Sequence, residues 1–126
     1  MKKFNKLIIA CDGESASGKS TAAKLISKKY KLLLINSGLI YRYCSKLRLK
    51  HNPKNIISFL NNKLKNTSYK NISNQKLHSE IISRDVALIA KNKYVRKIVN
   101  KFQKKIIMNN KKICVEGRDI ASKILK

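Results

Sequence analysis

Apolar residues first gather in "KLIIACDG", residues 6–13, a short β-branched run that ends at a glycine. That is the pattern of a strand buried on both faces and feeding a tight turn. The following "GKSTAAKLISKKY" is rich in helix formers and spaces Ala22, Leu25, Ile26 and Tyr30 to line one helical face. "KLLLINSG" returns to the pattern of a buried strand, so the chain opens as strand, helix, strand. Residues 38–50, "GLIYRYCSKLRLK", read as a helix, and Asn52 with Pro53 reads as the cap and first turn of another over "KNIISFLNNKL". The polar "KNTSYKNISNQK" lacks apolar periodicity and reads as an exposed loop or small insertion. Helical character resumes over residues 78–91, and Val95, Ile98, Val99, Phe102, Ile106 and Ile107 share one face of the next helix. "KKICVEGRD" closes the pattern as a third strand running into a glycine turn. Strands alternating with helices imply an α/β domain with a parallel sheet.

Composition changes this picture little. At 126 residues with 43% hydrophobic content, the chain has room for one domain with a real core. The net charge of +24 invites a nucleic-acid reading, but the lysines are spread along the whole chain and accompany abundant Asn and Ile. Such a spread describes a solvated surface better than a binding stripe, and nucleic acid is not the expected partner. Cys11, Cys44 and Cys114 form no CxxC pair and have no histidine at metal spacing, which fits a reduced cytoplasmic setting. The apolar run after Lys2, Lys3 and Lys6 is shorter than a signal peptide needs, and no segment approaches a membrane span.

Chemistry concentrates at the strand ends. The four glycines, Gly13, Gly18, Gly38 and Gly117, all fall at or just beyond predicted strands, and four of the six acids, Asp12, Glu14, Glu116 and Asp119, flank the same turns. Open α/β sheets bind ligands there. Against a background of lysine, Arg42, Arg84, Arg96 and Arg118 offer planar guanidinium groups able to clamp phosphate or carboxylate through paired hydrogen bonds.

"GESASGKS", residues 13–20, matches G-x-x-x-x-G-K-[ST] in full and lies between a predicted strand and a predicted helix. The residues Gly13, Glu14, Ser15, Ala16, Ser17, Gly18, Lys19, Ser20 and Thr21 are therefore the candidate ATP-binding set. Backbone N–H groups and the helix start would surround the β- and γ-phosphates. Lys19 would neutralise developing charge, and the Ser20 hydroxyl would ligate the Mg²⁺ that accompanies ATP.

"NSGLIYR", residues 36–42, together with "DGESASGKST" and "EGRDIA", resembles the bacterial cytidylate kinases, a family of P-loop nucleoside monophosphate kinases. The resemblance spans nearly the whole chain and is weakest across residues 51–77. It implies a P-loop NTPase-type parallel sheet with flanking helices, of which only the first three core strands are present, in the order 2-3-1. It divides a single domain over residues 1–126 into the phosphate and acceptor loops (1–50), a shortened nucleotide-binding insertion (51–77), and a helix pair with the third strand (78–126).

The implied activity is that of a (d)CMP kinase, a phosphotransferase of pyrimidine nucleotide metabolism that moves the γ-phosphoryl group of ATP to CMP or dCMP. The acceptor would be held by a loop after the second strand, at Ser37, Tyr41 and Arg42, with Arg42 on its phosphate. Arg96 and Asp119 match residues that read cytosine, and Arg118 matches a second phosphate-binding arginine. Lys19, Arg42 and Arg118 are then the catalytic set, acting by positioning and charge neutralisation.

Two departures stand out: Asn36 replaces the family's usual aspartate, and Ala87 a serine that helps read the base, a hydroxyl contact worth about 1 kcal/mol. The chain also ends at "EGRDIASKILK", where the family's fold continues through further strands, a lid and the adenine pocket. An ending there leaves turnover by this stretch alone open, and leaves the first strand with an edge that could pair with another chain. Alternative readings are another P-loop small-molecule kinase, of adenylate or shikimate type, and a non-catalytic nucleotide- or RNA-binding protein.

Overall fold

A computed structural model describes residues 7–12 and 19–117, excluding the side chains of Asp12, Lys19 and Ser20. The described chain runs β1 (Leu7–Asp12), α1 (Lys19–Tyr30), β2 (Leu33–Asn36), α2 (Ser37–His51), α3 (Ile56–Lys65), α4 (Tyr69–Ser73), α5 (Glu80–Ile89), α6 (Lys93–Met108) and β3 (Lys112–Gly117). It divides into two compact units, one of residues 1–37 with 103–126, the other of residues 38–102.

The first unit carries a parallel sheet in the order β1-β3-β2, which is the expected 2-3-1 arrangement. β3 is central: Ile113 to Gly117 are all buried, which is why its sequence reads as an unbroken apolar run up to Glu116. Its register sets Ile9 against Cys114 on one side and Leu34 against Cys114 on the other. Ala23, Leu32 and Cys114 form a buried cluster, with Ile9, Cys11, Ile26 and Leu34 packed around it.

The face of α1 differs from the expected one. Ala23 and Ser27 are buried, whereas Ala22, Leu25 and Tyr30 are exposed and Ile26 is half-buried. Small residues one turn apart let a helix lie close to its neighbours. Choosing the phase by bulk therefore selects the wrong side. α1 ends in a Schellman turn: the Leu32 amide donates to the Ser27 carbonyl at 2.8 Å, with Lys31 at φ 55 in the left-handed position.

The second unit is helical, and its buried apolar residues include Ile40, Tyr43, Cys44, Leu60, Ile72, Leu77, Ile82, Val95 and Val99. Fully burying one such side chain contributes about 1.5–3 kcal/mol. Asn52 does not cap α3. It sits at φ 43 just past α2, its amide donating to the Arg48 carbonyl at 2.8 Å, so it closes the preceding helix in a left-handed turn that asparagine tolerates well. Pro53 then blocks continuation, and Asn55 caps α3 by accepting from the Ser58 amide at 3.1 Å.

The stretch expected to be an exposed loop contains α4. Ser68 caps it by accepting from the Asn71 amide at 3.2 Å, and Ile72 is fully buried. A single apolar residue on a short helix gives no periodicity to detect. α5 starts at the Ser79 cap with Glu80 in its first turn, where a negative charge favours the helix dipole.

Candidate functional site

The phosphate-loop motif lies between a strand and a helix, as expected. β1 ends at Asp12 and α1 begins at Lys19, so residues 13–18 join the C-terminal end of a parallel strand to a helix N-terminus. Gly13, Glu14, Ser15, Ala16, Ser17 and Gly18 themselves lie outside the described residues, as do the side chains of Lys19 and Ser20. Thr21 is exposed in the first turn of α1.

Beside that turn, the parallel sheet brings Asp12, Glu116 and Asn36 to the same end, because Cys11 pairs with Glu116 in register and so does Asn36. Glu116 is almost fully buried, and the Asn36 side-chain amide donates to its Oε1 at 3.4 Å. One residue on, the buried Ser37 hydroxyl donates to Oε1 of the buried Gln103. Ser37 thus sits at the start of α2 rather than on a loop, and its hydroxyl is committed to an intramolecular contact.

Tyr41, Arg42 and Arg96, three of the remaining acceptor candidates, belong to the second unit. Tyr41 and Arg42 occupy the first turns of α2, within the helix expected over residues 38–50. Tyr41 and Arg96 come together: burial pushes the Tyr41 phenol above its ordinary value, and the Arg96 cation and its hydrogen bond to the phenol oppose that rise. Arg42 donates from Nη1 to the Leu77 carbonyl at 3.1 Å and to the Ser83 hydroxyl at 2.9 Å. Arg118 and Asp119 lie outside the described residues.

Three features escaped the sequence reading. Arg48, a further arginine on α2, meets the buried Asp85 of α5 in a two-pronged ion pair, Nε to Oδ2 at 3.2 Å and Nη2 to Oδ1. Ser83 is the hydroxyl partner of Arg42. Gln103 is the buried partner of Ser37. A signal for the first was available: an arginine in a lysine-rich helix, and an acid in a chain that has only six. Arg84, by contrast, pairs with Glu80 one turn away on the surface, a contact worth a few tenths of a kcal/mol and no sign of a site.

Among the described residues no group of three or more metal-ligating side chains occurs, and no helix is long and apolar enough to cross a membrane.

Comparison with known proteins adds a family. The model for the cytidylate kinase family matches residues 9–126. The chain is 38% identical to a cytidylate kinase of Mesomycoplasma hyopneumoniae strain 7448, over 97% of its own length and 58% of that protein's. It is 35% identical to a cytidylate kinase of Clostridioides difficile, with 94% and 60% covered, and 33% identical to one of Aquifex aeolicus, with 93% and 58% covered. It therefore spans about three fifths of the length of these curated relatives.

Proposed function

The chain belongs to the cytidylate kinase family, and from that premise we propose that it serves phosphoryl transfer from ATP to CMP or dCMP, yielding ADP and CDP or dCDP. The observation that carries the proposal is the use of arginine in the second unit. Arg42 is anchored through one nitrogen, and Arg96 is drawn to Tyr41, both from positions that the family motifs single out.

ATP enters as its magnesium complex. The donors that the sequence sets at the strand ends are oxygens, the Ser20 hydroxyl with the Asp12 and Glu116 carboxylates nearby in the chain or sheet, a set suited to a hard cation such as Mg²⁺. Bound there, the ion would neutralise charge on the β- and γ-phosphates. The chain's own groups do the rest. Residues 13–18 supply backbone N–H groups to the ATP phosphates, and Lys19 offsets charge on the group in transfer. Arg42 binds the acceptor phosphate, and Tyr41 with Arg96 provides a face for the nucleoside. Arg118 adds a second cation for phosphate, and Asp119 accepts from the cytosine amino group. The acceptor phosphate oxygen attacks the γ-phosphorus in line as the bond to the β-γ bridging oxygen breaks, leaving ADP.

The test is nucleotide turnover on the purified chain with ATP, Mg²⁺ and CMP, following ADP and CDP, with AMP and UMP as alternative acceptors and Lys19→Ala as control. CDP formation that is lost in the Lys19 variant, and preferred over the AMP and UMP products, supports the proposal. Binding of ATP with no acceptor selectivity would count against it.

A further inference from the structure

Arg42 spends one nitrogen on both of its contacts. Nη1 donates to the Leu77 carbonyl at 3.1 Å and to the Ser83 Oγ at 2.9 Å, so both of its hydrogens are taken. What remains is the Nε–Nη2 edge, a fork of two parallel N–H groups that matches two oxygens of a phosphate. Among the described residues, the recorded bonds of Arg42 leave that edge unoccupied. A guanidinium pinned at one corner by two acceptors cannot swing freely about its last torsions. The conformational entropy that a surface arginine gives up on binding an anion is thereby lost in advance.

The pin depends on α5. Ser83 is exposed on that helix, and two residues later the buried Asp85 takes Arg48 through both of its carboxylate oxygens. Arg42 and Arg48 come from the same helix, α2, so two arginines of one element grip neighbouring positions of the other. The ion pair fixes the register of α5 against α2, and that register holds the Ser83 hydroxyl within reach of Arg42. Because Ser83 accepts from a cation, its own O–H points elsewhere and is open to a further acceptor.

We infer that Ser83 is a positioning residue for the acceptor phosphate. Its hydroxyl and the Leu77 carbonyl hold Arg42 so that the Nε–Nη2 edge is presented to the monophosphate, and the Arg48–Asp85 pair keeps Ser83 in place. The inference rests on the proposed role of Arg42 as the acceptor-phosphate ligand.

A double-mutant cycle read by CMP titration tests it, using wild type, Ser83→Ala, Arg42→Ala and the double variant of the full chain. Ser83→Ala is expected to weaken CMP about tenfold, the loss of one well-placed hydrogen bond to a charged group, with an unchanged melting temperature. In the Arg42→Ala background the same change is expected to alter CMP affinity by less than about twofold, because the residue acts through the arginine. Ser83→Thr, which keeps the hydroxyl, is expected to restore affinity to within about threefold of wild type. Equal losses in both backgrounds, or no loss in the single variant while wild type binds CMP, would overturn the inference alone. A wild-type chain that binds no nucleoside monophosphate would overturn the reading of Arg42 and the inference with it.

Discussion

The two units handle buried polarity in different ways. In the sheet unit the contacts made by the described buried side chains come from an amide and a hydroxyl: Asn36, at the end of β2, donates to Glu116 of β3, and Ser37, one residue beyond β2, donates to Gln103 of α6. In the helical unit the contacts come from arginine, with Arg48 on the buried Asp85, Arg96 on Tyr41, and Arg42 on the Leu77 carbonyl and the exposed Ser83 hydroxyl. Under the proposed function, the difference follows from what each set of residues would hold. A phosphate loop is built from backbone N–H groups and a helix start, so its neighbours need only keep a scaffold in place. An acceptor site that must recognise a whole nucleotide is built from side chains, and planar cations suit its phosphate and base. Substitutions near the sheet should therefore change stability, and substitutions among the arginines should change recognition as well.

The largest effect is expected where the helical unit buries charge. Arg48→Met leaves Asp85 buried without its cation and should destabilise the chain by about 3 kcal/mol, whereas Asp85→Asn leaves a half-exposed arginine that water can serve and should cost about 1 kcal/mol. Urea unfolding of the two variants checks the asymmetry, and equal losses would contradict it.

In the sheet unit, Gln103→Leu strands the buried Ser37 hydroxyl and should cost about 2 kcal/mol in the same assay while leaving CMP affinity within about twofold of wild type. A large loss of CMP binding without a loss of stability would erase the contrast between the units.

The smallest effect concerns Cys44. Burial pushes its thiol up from 9.0 to about 12, so the folded state favours the neutral form. The sign follows: below about pH 9 neither state loses this proton, and above it the unfolded chain ionises first, so this group's contribution to stability falls as pH rises from 9 toward 12. At pH 8.5 the Cys44 thiol should resist alkylation by iodoacetamide until the chain is unfolded, as read by peptide mass spectrometry. Modification of native protein at the rate of a free thiol would show that the helical unit opens readily.

Much of this architecture was legible in the sequence, and the exceptions have a common cause. β1, β2 and β3 announce themselves as apolar runs bounded by glycine or a polar turn, although burial along the whole strand, expected for β1 and β2, holds only for the central β3: Leu7 and Leu33 are exposed and Ile8 to Cys11 half-buried. α6 is equally plain, since Val95, Val99, Phe102 and Ile107 recur at helical spacing and are buried. The phase of α1 was misread because Ala23 and Ser27 are small, and α4 was missed because Ile72 is its one buried residue. At the site, Tyr41, Arg42 and Arg96 were named from motifs. Their partners were not, because Ser83 lies 41 residues from Arg42, Asp85 37 from Arg48, and Gln103 66 from Ser37. Such pairings are set by the packing of helices and strands, and no local pattern encodes them.

The separate roles of Lys19 toward ATP and of Arg42 toward CMP are the central claim, and separate calorimetric titrations of ATP and of CMP into wild type, Lys19→Ala and Arg42→Ala test it most directly. The account predicts a crossed result: Lys19→Ala weakens ATP by at least about tenfold and leaves CMP within about twofold, while Arg42→Ala does the reverse. Parallel loss of both ligands in both variants, or CMP affinity indifferent to Arg42, would contradict it.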